Sequence, residues 1–112
     1  GGRMASLVAD KAGVAGLLVL GFPFHAPGKA AEERIGHMAT LATPTLIVQG
    51  TRDALGSREE VAGYRLSTAV DLAWIEDGDH SLKPRKKSGL TADDAMAQAV
   101  EAAATFVTGL AI

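Results

Sequence analysis

Two short stretches of this chain could do chemistry together. TLIVQGTRDALG, residues 45–56, is an apolar run ending in a glycine turn that carries Asp53. WIEDGDHSL, residues 74–82, is a second apolar run ending in an acidic turn that carries His80. An imidazole can take up and return a proton near neutral pH, and a carboxylate bonded to it fixes its tautomer and steadies the imidazolium. An acid and then a histidine, each on the loop after a strand, are two of the three members of a nucleophile–histidine–acid triad. Each also has a plainer explanation. Asp53 could be a turn aspartate bonded to its own backbone, and His80 a surface loop histidine. Their order on successive strand ends favours catalysis.

For those loops to meet, the elements before them must form one sheet. Arg3 to Lys11 reads as a helix with Met4, Leu7 and Val8 on one side. Ala15 to Leu20 is an uninterrupted apolar run closed by Gly21, the pattern of a strand covered on both faces. Residues 21–29, with two prolines and two glycines among them, read as a loop. Glu32 to Leu41 is a helix candidate with Ile35, Met38 and Leu41 spaced by threes, and Pro44 opens a second buried strand, Thr45 to Gln49. Ser57 and Glu60 form a capping box ahead of a helix expected from Arg58 to Leu66. Val70 to Ile75 gives the third strand and residues 83–89 a charged loop. Thr91 caps a last helix whose apolar stripe is Met96, Ala99, Val100, Ala103, Phe106, Val107 and Leu110. Helices alternating with buried strands imply an α/β fold with three parallel strands and right-handed crossovers. Ligand chemistry in such sheets gathers at the carboxyl ends of the strands, where Asp53 and His80 both fall.

The totals bound what else the chain can be. Its 112 residues make one domain at most, and aromatics at 4% leave the core to small side chains. A net charge of −2 gives no reason to expect a nucleic-acid partner. The absence of cysteine rules out disulfides and thiolate metal sites and suits a cytoplasmic protein. The longest apolar run, Val14 to Phe22, is too short to span a bilayer, so no membrane partner is expected. No cofactor or metal is expected either: Asp77, Asp79 and His80 crowd three ligands into four residues without the spread of a cage. Lys83, Arg85, Lys86 and Lys87 read as a solvated loop, or more sharply as an attraction for an anion near the site. Arg52 neutralises the acidic neighbourhood. His25 could line a pocket or simply be held by local bonds, with the second reading preferred, and His37 reads as exposed.

The spans TPTLIVQGTRD and IEDGDHSLKPRK resemble the acid and histidine loops of α/β-hydrolases. The nearest likeness is to the dienelactone-hydrolase-like branch, with bacterial members akin to a subunit of the non-specific-lethal chromatin complex. GRMASLVAD and GLLVLGFPFHAPGK fit that branch as well, so the resemblance covers nearly the whole chain. It implies a serine hydrolase acting on a small-molecule ester, lactone or similar acyl bond, with His80 as base and Asp53 as acid. In that family the nucleophile sits in a G-x-S-x-G elbow. Gly2 to Ser6 match the segment that follows the elbow and Gly1 its last glycine, so the resemblance places the serine two residues ahead of Gly1.

On that likeness, and because the chain does not start with Met, the expectation is a C-terminal half of a hydrolase domain, inactive alone for want of its nucleophile and oxyanion donors. Of the serines present, Ser6 falls inside a helix, Ser57 is a cap, Ser67 follows a helix end, Ser81 adjoins His80, and Ser88 lies in the charged loop. None occupies a strand-to-helix turn. The Ala15 to Leu20 edge is then expected to pair with a second copy or with a complementing N-terminal half. A non-catalytic interaction scaffold on the same fold is the alternative, and the residue at the serine position separates the two. A flavodoxin-like binding domain is weaker, since no glycine-rich phosphate loop follows any strand.

Overall fold

Each apolar run that ends in glycine or an acidic turn becomes a strand of one parallel sheet. The computed structural model describes residues 2–26 and 35–110. Its strands are β1 (Leu17–Leu20), β2 (Thr45–Gly50) and β3 (Val70–Ile75), in the order β1-β2-β3. Leu17 pairs with Thr45 and Leu20 with Val48, while Thr45 pairs with Val70 and Gly50 with Ile75. The helices are α1 (Gly2–Ala12), α2 (Arg58–Val61) and α3 (Ala92–Gly109), with 3₁₀ turns at Gly36–Ala39 and Lys86–Ser88. The fold is α/β, three parallel strands alternating with helices.

The core follows from the side-chain alternation of β2, which is buried along its whole length. Ile47 joins Val19, Phe22, Phe24, Met38, Leu41, Val61 and Ala9 of α1 on one face. Leu46 and Val48 point the other way and meet Ile75, Leu82 and the alanines Ala95 and Ala99 of α3. Small side chains let α3 lie close on the sheet. Both capping boxes form, Ser57 with Glu60 and Thr91 with Asp94.

Several expectations need correction. β1 is not covered on both faces: only Val19 is buried, and Leu18 and Leu20 are exposed. An edge strand with one packed face needs only one inward residue of each pair. On α1 the buried face is Ser6 and Ala9, while Met4, Leu7 and Val8 are exposed. On α3 the packed residues are Ala95, Ala99, Ala102 and Phe106, and Met96, Val100 and Val107 of the expected stripe face outward. The helix expected to reach Leu66 stops at Val61, where Gly63 and Tyr64 take i→i−3 bonds to Glu60 and Val61. Glycine there weakens helix propagation, and Ser67, tied to Met38 and Leu41, pulls the chain back. From Gly36 onward the Glu32–Leu41 candidate is a 3₁₀ turn, with Ile35, Met38 and Leu41 all buried, as a repeat of three dictates. The first part of that candidate and the end of the 21–29 loop lie outside the described residues. Among the described residues, no helix is long and apolar enough to cross a membrane.

Candidate active site

At the carboxyl ends of the strands three loops converge: 21–26 after β1, 51–57 after β2 and 76–85 after β3. Asp53, in the second, is fully buried. Its Oδ1 accepts from the Leu55 amide at 2.8 Å, a local turn bond, and its Oδ2 accepts from His80 Nδ1 at 2.8 Å. So Asp53 is both the turn aspartate of the plain reading and the partner of His80. The His80 side chain keeps 45% of its surface exposed, and the bond to Asp53 is its one hydrogen bond among the described residues. A buried carboxylate that orients one ring nitrogen while the other stays open is the arrangement a general base requires.

The histidine loop is held by its acids. Asp77, at φ 59, has its carboxylate gripped by Arg85 through the side chain and the amide (Nε 3.0 Å, N 2.8 Å), with Arg52 3.2 Å away. The Arg85 hydrogen bonds hold the Asp77 carboxyl far below the usual carboxylate range, and Arg85 is raised in turn. Asp79 Oδ1 accepts from the Lys83 and Ser81 amides, chiefly the former, and its pKa is lowered for that reason. Leu82, at φ 66, is strained but buried in the core. These acids are therefore loop clamps, Asp77 through both carboxylate oxygens and Asp79 through Oδ1. Among the described residues no three His, Asp or Glu groups are placed to hold a metal ion. Of the basic run, Arg85 serves Asp77, and Lys83, Lys86 and Lys87 are exposed.

The other histidines have structural partners. His25 is buried, donates Nδ1–H to the Ala26 carbonyl at 2.8 Å, and places Nε2 2.9 Å from Glu60 Oε2. That second contact is off the line of a well-formed hydrogen bond, so its attraction is mainly of charge. The Ala26 carbonyl first, then the Glu60 and Asp53 charges, raise the pKa of His25, while the Ser57 amide first, then His25, lowers that of Glu60. His25 thus stabilises the fold fully below its unfolded pKa, and loses that contribution as pH rises through the raised folded value. Glu60 contributes above its unfolded pKa and loses it as pH falls through the lowered one. We expect His25→Gln to lower stability by roughly 0.5–1 kcal/mol near about pH 6 and far less near about pH 9, read from melting temperatures at both.

His37 is half-buried rather than exposed, and its Nε2 lies 2.8 Å from Ser6 Oγ. Ser6 donates its own proton to the Arg3 carbonyl at 2.7 Å, so His37 is the donor in that pair. Burial first, then the Arg3 charge, lowers the His37 pKa. Ser6 is a helix residue satisfying its backbone, not a nucleophile facing a base. Ser67 and Ser88 likewise donate to the Leu41 and Arg85 carbonyls.

Three contributors escape a reading of motifs. Gly21 and Gly50 look like plain strand terminators, yet both are close-approach points. A Cβ on Gly21, whose φ is +75, would lie 2.6 Å from the His80 carbonyl oxygen and 3.5 Å from its Nδ1. One on Gly50 would run into the Gly78 and Asp79 carbonyl oxygens. Gln49, fully buried, ties two of the loops together. Its only sequence signal is a lone amide inside the apolar run TLIVQ. A groove of about 570 Å³ between β3 and α3, which includes Trp74 and Phe106, shares no residue with the acid–histidine pair.

A family model described as Alpha/beta hydrolase domain matches residues 1–108. No curated protein and no solved structure matches the chain.

Proposed function

The chain belongs to the alpha/beta hydrolase domain family, and from that premise we propose that it supplies the acid and the base of a serine hydrolase of the dienelactone-hydrolase-like branch, acting on an ester, lactone or similar acyl bond. The observation that carries this reading is the 2.8 Å contact between Nδ1 of a solvent-open His80 and a fully buried Asp53. His80 Nε2 takes the proton of an attacking serine as its oxygen bonds to the acyl carbon. Asp53 meanwhile holds the Nδ1 proton and stabilises the imidazolium. The same proton then passes to the leaving alkoxide, and water repeats the sequence to release the acid.

The nucleophile belongs, in this reading, to an elbow whose serine precedes Gly1 by two positions. The placement of α1 supports it. Gly2, at its start, packs on the Val19 side chain late in β1, and Asp10, near its end, accepts from the Ala42 and Thr43 amides ahead of β2, so its first turn lies toward the carboxyl ends of the strands. The first serine upstream of that turn would stand on the same side of the sheet as His80.

A fluorophosphonate probe tests this directly on the full-length protein. The expected result is a single adduct by intact mass, mapped to a serine just upstream of Gly1. A folded protein that takes no adduct would instead support a binding scaffold built on the hydrolase fold, and an adduct mapped elsewhere would overturn the placement of the nucleophile just upstream of Gly1.

A further inference from the structure

Gln49 is a carboxamide in the middle of an apolar sheet, fully buried and next to last in β2. A buried amide persists where its hydrogen bonds are made. Here all go to backbone groups of two different loops. Oε1 accepts from the Phe22 amide at 2.7 Å, and Nε2 donates to the Phe22 carbonyl at 3.1 Å and to the Gly56 carbonyl at 3.0 Å. One side chain therefore links the loop after β1 to the turn after β2.

Those two loops are the two walls of the seat in which His80 rests. On one side is Gly21, the neighbour of Phe22, so close that a Cβ there would touch His80 Cε1 at 3.4 Å. On the other is Asp53, whose turn is closed by the Gly56 amide donating to the Asp53 carbonyl at 3.1 Å. The His25 amide adds a bond to the Leu55 carbonyl, and Glu60 also spans the two loops through the Ser57 amide and its contact with His25, but the three Gln49 bonds are buried. The spacing between Gly21 and Asp53 decides whether His80 can keep a 2.8 Å bond to Asp53 while packed beside the glycine.

We propose that Gln49 is the positioning residue of the acid–histidine pair, setting the width of the His80 seat by tying Phe22 to Gly56 beneath it. This rests on the reading of Asp53 and His80 as acid and base. The role needs a neutral amide. A carboxylate of the same shape has no N–H, so it would set acceptor against acceptor at the Phe22 and Gly56 carbonyls. Asparagine has the right groups but is one methylene too short to reach both loops.

The test is made on the full chain with ¹⁵N-labelled histidine, comparing the parent with Gln49→Glu and Gln49→Asn. The His80 Nδ1 proton, held against Asp53, is expected as a low-field signal that exchanges slowly with water. Both variants should lose it to exchange or show mixed tautomers at His80, while circular dichroism reports an unchanged fold. In the full-length enzyme, kcat should fall roughly ten- to a hundred-fold with KM within about twofold, because an oriented base is lost and substrate contacts are kept. Folded variants that retain the parent signal would overturn the proposal. Hydrogen exchange in the parent gives a second check that needs no variant: the Phe22 amide must be protected as well as the amides of β2, and rapid exchange would also overturn it. A parent with the Nδ1 signal intact, yet no fluorophosphonate adduct, would overturn the hydrolase reading and leave the geometric role of Gln49 standing.

Discussion

Asp53→Asn should lower hydrolytic turnover by roughly 10,000-fold while leaving the protein folded. The size follows from which way the amide must turn. Asp53 accepts two hydrogen bonds, from the Leu55 amide through Oδ1 and from His80 through Oδ2. Asparagine has one acceptor and one donor end. The Leu55 N–H can only donate, so the asparagine oxygen must face it, and the NH₂ must face His80. His80 can answer only by moving its proton to Nε2 and accepting at Nδ1. Nε2 is the atom needed to receive the proton of the serine, and it is then already occupied. Turnover of a p-nitrophenyl ester by the full-length protein measures the loss, and ¹⁵N shifts of His80 report the tautomer. A folded Asp53→Asn protein with near-parental turnover would remove Asp53 from the machinery.

His80→Ala should cost more, about 10,000- to a million-fold in kcat, and should abolish labelling by a fluorophosphonate. The imidazole works twice in each half-reaction, as acceptor and then as donor, and water cannot replace a positioned base at that rate. The fold should tolerate the change, because nearly half of the side chain is exposed and the loop is held instead by Asp77 with Arg85 and by Asp79 with two amides. Asp53 acts only through His80, so the double variant should be no slower than His80→Ala alone. A double variant slower by a further large factor would show that Asp53 has a second catalytic task.

Much of this arrangement can be read from residue order. Apolar runs ended by glycine or an acidic turn, with helical segments between them, require a parallel α/β sheet. The Ser57–Glu60 capping box and the Thr91 cap were legible because a cap is a bond between residues three apart, while the return bond from Asp94 came from the structure. The buried residues Ile35, Met38 and Leu41 were legible from their spacing, although the turn that carries them is 3₁₀ in its described part. Apart from the early end of the helix at Val61, the 3₁₀ turn and the half-buried His37, the errors concern outer faces. Met4, Leu7, Val8, Leu18, Met96 and Val100 look like core by periodicity and are exposed here. Periodicity says which residues share a face, not whether another element covers it.

By itself the sequence determined three parallel strands, the two loops that carry Asp53 and His80, and their shared end of the sheet, because these depend on short-range pattern and on the handedness of crossovers; the order of the strands across the sheet came from the structure. Only the tertiary structure decided what those residues touch. Residues 27 apart in sequence meet at 2.8 Å because Gly50 lets the Gly78–Asp79 backbone pass, Gly21 leaves room for an imidazole, and Gln49 ties one wall to the other. The same folding gives Ser6 and His37 to each other as a structural pair and gives Asp77 to Arg85 as a clamp. Those assignments follow from distances set by packing, which no local pattern of side chains encodes.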